Sequence, residues 1–490
     1  MRIPNTSGHN IDRLLGEEPL LGVEAAAGAG KTHLACTLAF EFAGKLAAHQ
    51  EVLFLSHTNA ARDVFRRRLS SEGRQSLGVS IKTLDTFCLE LISPYASLWR
   101  LPIPLRPPSP MPRDWFTEAR RKAANLLDKR PEIARAVMAR YPVVLADEHQ
   151  DASIHHHSLL VSLSKAGARV RMFGDALQAI LTFDRTIPGW DELMRGIPTV
   201  ELSGAWRWVN EPALGQWIAD ARASLRSGGK VSLSSADGRV QVFEVDGSRQ
   251  VWTRNAMVLN ILRSLREMDS LVVLSRRNDQ AKEAARVADL GLIVNEGSDQ
   301  SAVEEVVAEV LGAAGNTNAV ASSFVDFMVG CGSLELTTAE AIRSHSPQPF
   351  QKAASEILTV LDQRPDLSGL VLATRLARRN AQAIGWAIAH PVSVDTVARM
   401  PVTVGVDEIR DLVFQAQRSA IEGAIPVRCA STIHKAKGRE FNNVVLPWID
   451  AATFGPDVKD RQLLYVGLSR AKRRLILVVP RAGASPLVSL

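Results

Sequence analysis

The sharpest chemistry lies near the beginning of the chain, in Ala25-Ala26-Ala27-Gly28-Ala29-Gly30-Lys31-Thr32, between an apolar run (LLGVEA, 20–25) and the helix-patterned HLACTLAFEF. Small residues let backbone N–H groups close around phosphate oxygens, and a helix N-terminus adds the positive end of its dipole. At this spacing Ala27, Gly28, Ala29, Gly30 and His33 line a phosphate cradle, Lys31 reaches the outer phosphates, and the Thr32 hydroxyl ligates magnesium. The general pattern of such loops has glycine where Ala25 stands. Hydrolysis further needs a carboxylate for the metal and another to orient water. Tyr141-Pro-Val-Val-Leu-Ala-Asp147-Glu148-His149-Gln150-Asp151 supplies adjacent carboxylates directly after an apolar run. Asp147 is the expected magnesium residue and Glu148 the expected activator of the attacking water. A lone acid pair at a strand end is commonly just a cap, but a pair that follows a phosphate loop in order is not.

These residues need a frame. The runs LLGVEA (20–25), VLFLS (52–56), VVLA (143–146) and VRMFG (170–174) read as buried strands, with helical periodicity between them. Strands alternating with helices predict a parallel sheet covered on both faces. The pattern returns at LVVLS (271–275), NNVVLP (442–447) and RRLILVV (473–479), which predicts a second sheet. Two stretches break the alternation: the proline-packed LPIPLRPPSPMP (101–112) with the helical piece after it, and a helix-rich segment at about 298–425. Both are expected to be helical insertions in an α/β frame.

Composition sets the outer limits. The chain has 490 residues, more than one ordinary core, with 46% hydrophobic and 22% charged residues, as in a globular protein. No apolar run reaches the roughly 18 residues that span a bilayer, and the polar N-terminus lacks a signal-peptide core, so a cytoplasmic protein with no membrane partner is expected. Lys plus Arg exceed Asp plus Glu by 58 − 52 = +6, compatible with a polyanionic partner without proving one. Cys36, Cys88, Cys331 and Cys429 are scattered without a CxxC pair, which predicts buried thiols and neither a disulfide framework nor a zinc site. In His155-His156-His157 consecutive helical residues point about 100° apart and do not converge on one ion.

Taken in order, the motifs resemble those of the UvrD/Rep-type superfamily 1 DNA helicases, whose phosphate loop typically begins with alanine. The TFTN-like motif stands at Ser56-His57-Thr58-Asn59, followed by Arg66, Arg67 and Arg68, and the next motif at Lys82-Thr83-Leu84-Asp85. The GDxxQ-I motif is Gly174-Asp175-Ala176-Leu177-Gln178-Ala179-Ile180, and Leu202 through Arg207 is similar to LxxNYR. Thr432-Ile433-His434-Lys435-Ala436-Lys437-Gly438-Arg439-Glu440-Phe441 and Leu464-Tyr465-Val466-Gly467-Leu468-Ser469-Arg470-Ala471 resemble the last two motifs. The resemblance implies two RecA-like parallel-sheet P-loop domains with reduced insertions: residues 1–90 and 141–198 as domain 1A, 91–140 as a 1B-like insertion, 199–297 and 426–490 as domain 2A, and 298–425 as a 2B-like insertion. It implies an ATP- and magnesium-dependent helicase or translocase moving 3′-to-5′ on single-stranded DNA. Gln178 becomes the γ-phosphate sensor, Trp206 the base-stacking aromatic, Arg207 and Arg470 the arginine fingers, and Gly438 and Glu440 further nucleotide contacts. His57, Thr58, Asn59, Thr83, Phe183 and His434 become nucleic-acid contacts.

The chain departs from that family in three places. No glutamine precedes Gln50, so the residue that reads adenine has no counterpart; Asn5, His9 or Asn10 can substitute, and the base preference stays open between ATP and another nucleoside triphosphate. On the DNA side, His57 stands for the aromatic of TFTN and Leu181 for a tyrosine, leaving Phe183, with Asp184 at a usual arginine. Stacking is worth about 1–3 kcal/mol per base, so losing two platforms weakens strand grip by roughly one to two orders of magnitude. The arginines of 66–68 read equally as a phosphate track or as a solvated helix face. The insertions are also short, and no fused nuclease is expected after RRLILVV. That layout resembles, more weakly, the helicase-like subunit of Gabija-type anti-phage defence systems, which implies a second reading: a sensor of single strands or DNA ends that regulates an OLD-family ATPase-nuclease partner.

Overall fold

Four-to-six-residue runs of Val, Leu, Phe and Ala, too short for stable helices, become parallel strands. In the computed structural model these are β1 (Leu20–Ala25), β2 (Val52–Ser56), β3 (Val79–Thr83), β4 (Val143–Ala146), β5 (Arg169–Gly174) and β6 (Thr199–Leu202). The structure describes residues 8–57, 62, 65–69, 78–95, 115–180, 187–202, 204–233, 238–246, 255–265, 268, 270–286, 292–294, 300–348, 351–388, 391–399 and 428–489. The strand order is β3-β2-β4-β5-β1-β6, with every pairing parallel. All residues of β2 and β4 are buried, as central strands covered on both faces must be.

Alternation along the strands sorts side chains to two cores. Leu53, Leu55, Val144, Ala146, Val170 and Met172 face the helices Leu84–Ile92, Trp115–Lys129 and Ile154–Lys165. Val52, Phe54, Val143, Leu145, Leu21 and Val23 face Leu14 and the helix Lys31–Ala43, through Leu34, Leu38 and Phe42. The described part of the segment expected as a 1B-like insertion shares the first of these cores: Ala119, Ala123, Leu126, Leu127 and Ala134 pack with the sheet residues and form one of its helical layers. The boundary expected at 198/199 falls immediately before β6, which pairs with β1 as the sixth strand of the first sheet.

The chain divides into two compact units, Met1–Gln250 with Ala436–Leu490, and Val251–Lys435. The first unit holds the β1–β6 sheet and a further parallel set, Phe441–Leu446, Ala471–Pro480 and Val240–Val245. The second unit holds the parallel strands Leu271–Ser275, Arg428–Thr432 and Ile293–Val294. It also holds a helical body between Gln300 and Arg399, with its own core around Phe324, Met328, Ile357, Leu361 and Trp386. The fold is α/β, with RecA-like parallel sheets and a helical insertion. The four cysteines are buried and form no disulfide. Among the described residues no helix is long and apolar enough to cross a membrane.

Candidate active site

The carboxyl ends of parallel strands, where the chain leaves the sheet for a helix, collect the residues of interest. β1 ends at Ala25, and the following loop turns through Gly28 (φ 72°) and Gly30 (φ 87°), left-handed conformations that favour glycine. Gly30 caps the helix Lys31–Ala43, placing Thr32 and His33 in its first turn, half-buried. Lys31 Nζ folds back to donate to Ala25 O at 3.2 Å. A second constraint acts at Gly28. A Cβ there would lie 2.7 Å from Arg207 Cβ and 2.9 Å from the Trp208 ring, and the Arg207 N–H donates to Gly28 O at 3.3 Å. The loop is packed under the turn Trp206–Trp208, so glycine is required there for space as well as for conformation.

β4 lies two strands from β1, across β5, and both are parallel, so Asp147 leaves the sheet at the same edge as the loop, where it feels the Lys31 charge. The Asp147 N–H donates to Leu55 O at 2.8 Å, and its Oδ1 accepts the Glu148 N–H at 2.9 Å. Glu148 is one of two non-glycine residues with positive φ (52°) among those described, a strained turn that redirects its side chain. Gln150 then fixes that side chain, donating from Nε2 to Glu148 Oε2 at 2.5 Å while its Oε1 accepts the Asp175 N–H at 3.2 Å. Burial and the neighbouring Glu148 charge push the Asp147 carboxyl up to about 7, against Lys31. Burial acts on Glu148 too, but Lys31, Lys437 and the Gln150 amide outweigh it and hold that carboxyl below its usual range. Glu148 is therefore the ionised partner, the form a base needs.

Cations from late in the chain complete the cluster. Arg470 is buried, donating to Val466 O (2.9 Å), Arg439 O (3.2 Å), Ser469 Oγ (2.9 Å) and Gln178 Oε1 (3.4 Å). Burial and the charge of Arg207 lower its guanidinium to about 10, so it stays a cation near neutral pH. Gln178 is set in turn by its own donation to Asp175 Oδ2 at 2.7 Å. Arg207 donates to Ser469 O at 2.5 Å and to Glu440 Oε1 at 2.6 Å. Trp206 is 44% exposed beside Gly30, with its ring edge 3.4 Å from where a Cβ would stand. Gly438 is exposed, with φ 77°. Thus Lys31, Asp147, Glu148, Gln178, Arg207, Glu440 and Arg470 all lie in the first unit.

Lys437, Asp151 and Arg222 extend this network. Lys437 pairs with Asp151 and donates to Gln178 O at 2.5 Å. Burial raises Asp151 to about 6, against the Lys437 charge. Arg222, on the helix Pro212–Arg226, donates to Glu24 Oε1 (2.9 Å) and Asp175 Oδ1 (3.3 Å), and no local pattern marks it.

The residues expected to touch nucleic acid are arranged differently. The Thr83 hydroxyl caps the helix Leu84–Ile92, accepting the Thr86 N–H at 3.1 Å. His57 turns its Nε2 inward and stands edge-on to His156, with centroids 5.5 Å apart. Burial and the nearby His156 lower its imidazole to about 3. His156 reaches Asp85 (3.2 Å), which also takes a two-pronged bond from Arg120 (2.7 and 3.0 Å), while His157 lies 3.0 Å from His149. The histidine run thus sends its side chains to separate partners. His434 is half-buried in the second unit. Thr58, Asn59 and Phe183 lie outside the described residues, as do Asn5, Leu181 and Asp184.

Thr32 and Asp147 offer hard oxygen donors, which suit magnesium. Among the described residues no cluster of three or more His, Cys, Asp or Glu gathers to hold a metal unaided. That is compatible with magnesium, which takes few protein ligands and is completed by water and substrate phosphates. The phosphate cradle and the exposed Trp206 face likewise suit a nucleoside triphosphate.

No curated protein matches the chain. Family models do: the UvrD/REP helicase N-terminal domain over residues 13–102 and 115–187, and the UvrD-like helicase C-terminal domain over residues 428–478. The N-terminal match contains the phosphate loop, Asp147, Glu148 and Gln178, and the C-terminal match contains Glu440 and Arg470. With both ends of the helicase motor matched in order around one connected cluster, the chain carries the N-terminal and C-terminal domains of a UvrD/Rep-type helicase.

Proposed function

We propose that the chain is a magnesium-dependent ATPase that drives 3′-to-5′ movement on single-stranded DNA. The observation that carries this reading is the contact of Arg470 Nη2 with Gln178 Oε1, which joins the last motif to the loop beside Lys31 and Glu148. Lys31 neutralises the outer phosphates, and magnesium held by Thr32 and Asp147 supplies further positive charge there when bound. Glu148, ionised and oriented by Gln150, takes the proton of a water that Gln178 helps to place. Arg207 and Arg470 stabilise charge developing on the transferred phosphoryl, and Trp206 offers its face to the base. Closure and release of these arginines then couple hydrolysis to movement.

The test is phosphate release with and without single-stranded DNA, at two salt concentrations. DNA should stimulate hydrolysis, the stimulation should weaken steeply as salt rises, and Lys31→Ala should lower the rate by about 10³-fold or more. Wild-type turnover in Lys31→Ala would refute the assignment. A second reading is favoured by the inward ring of His57: a sensor of single strands or DNA ends that regulates a partner nuclease, with little unwinding of its own. Robust strand displacement by the isolated chain would decide against it.

A further inference from the structure

We infer that Tyr465 is a positioning residue, its hydroxyl latching the phosphate loop to the helix that precedes Arg470. The inference rests on the proposed ATPase reading and adds a part to it. The Ala27 N–H donates to Tyr465 Oη at 3.0 Å, across 438 residues of chain. Tyr465, on the helix Val458–Leu468, is fully buried, with Asp175, Arg222 and Arg470 among the charged groups near its hydroxyl. Burying a hydroxyl costs free energy unless it is bonded, so phenylalanine would fill this space more cheaply if only packing mattered. Burial raises the phenol's pKa further, so it stays neutral at any physiological pH.

The same helix makes further contacts beside the cluster. Gln462 Nε2 donates to Ala176 O at 2.9 Å, in the turn that carries Gln178. The Tyr465 carbonyl accepts the Ser469 N–H at 2.9 Å, and the Ser469 carbonyl takes Arg207 Nη1 at 2.5 Å. Arg470 is held to Val466 O at 2.9 Å. Any displacement of this helix that carries Arg470 away from Gln178 also pulls on Ala27. The shape of the phosphate cradle is therefore tied, through one hydroxyl, to the placement of Arg470.

Tyr465→Phe removes the oxygen and keeps the ring, whereas Tyr465→Leu removes the ring as well. Because the hydroxyl touches the loop and not the reacting atoms, Tyr465→Phe should raise KM for ATP roughly 3- to 10-fold while kcat stays within about 2-fold. Thermal stability should be close to wild type in Tyr465→Phe and lower in Tyr465→Leu. Independently of turnover, amide hydrogen exchange in the peptide covering 21–34 should quicken in Tyr465→Phe by a similar factor, with other regions unchanged. Wild-type KM and wild-type exchange in Tyr465→Phe would overturn the inference, as would a general loss of folding. Failure of the ATPase reading looks different: the wild-type protein would show no Lys31-dependent hydrolysis, while the exchange measurement would still report on the latch.

Discussion

Two side-chain clusters of the first unit make an instructive pair. Around the phosphate loop, side chains from distant parts of the sequence meet: Glu148, Gln178, Arg207 and Arg470 are held by Gln150, Asp175, Ser469 and Glu440, while Lys31 folds back on Ala25. Around the described part of the expected strand-binding motifs, Thr83, Asp85 and His57 meet other side chains and backbone of the protein itself. Thr83 caps its own helix, His57 leans on His156, and Asp85 is held by Arg120 and His156. The lesson concerns substitution. A charged or polar catalytic group has one chemical job and keeps its partners. A stacking position accepts any flat ring, and a small ring such as imidazole can be turned edge-on to a neighbouring side chain instead.

The strongest test of the contrast lies at its catalytic end. Glu148→Gln keeps the shape and removes the base, so kcat should fall by about 10²- to 10⁴-fold while nucleotide binding, read by a fluorescent analogue, is retained. A variant that lost binding and turnover together would make Glu148 a structural member of the cluster. At the other end a null effect is expected. His57→Ala should change single-stranded DNA affinity by less than about 3-fold, whereas a working stacking platform is worth about 1–3 kcal/mol, or roughly 5- to 150-fold. A large loss of affinity would mean that His57 turns outward to meet the strand and would erase the contrast.

The smallest effect is on stability. The His57 imidazole is lowered to about 3, well below the usual histidine range, because burial, and then His156, disfavour the charged form. A group with a depressed folded pKa gives stability that is present above its unfolded value and is lost as pH falls. Thermal stability should therefore decline from pH 6.5 towards pH 3, at no more than about 1.4 kcal/mol per pH unit from this residue. His57→Ala should flatten part of that slope, with His149, shifted in the same direction, keeping the rest. An unchanged slope would mean that His57 is solvated.

Legibility in the sequence followed distance along the chain. The phosphate loop could be read because strand, glycines, lysine and threonine fall within a dozen residues and their roles depend on that local spacing. The α/β class could be read because both sheets are built from short buried runs separated by helical periods. The helices at 115–140 were read as an insertion, yet they share a core with β2 and β4. Periodicity reveals that a helix has an apolar face and not which surface receives it. Tyr465 stood inside a quoted motif with no role, because nothing near it in sequence says that its oxygen meets Ala27. Arg222 had no local mark at all.

The sequence by itself determined which chemical groups are available and in what order, since backbone propensities and short spacings are properties of neighbouring residues. Only the tertiary structure decided which groups share a site. Burial and hydrogen-bond satisfaction are settled between residues hundreds of positions apart, and there a hydroxyl becomes a latch and an imidazole leans on a neighbouring ring.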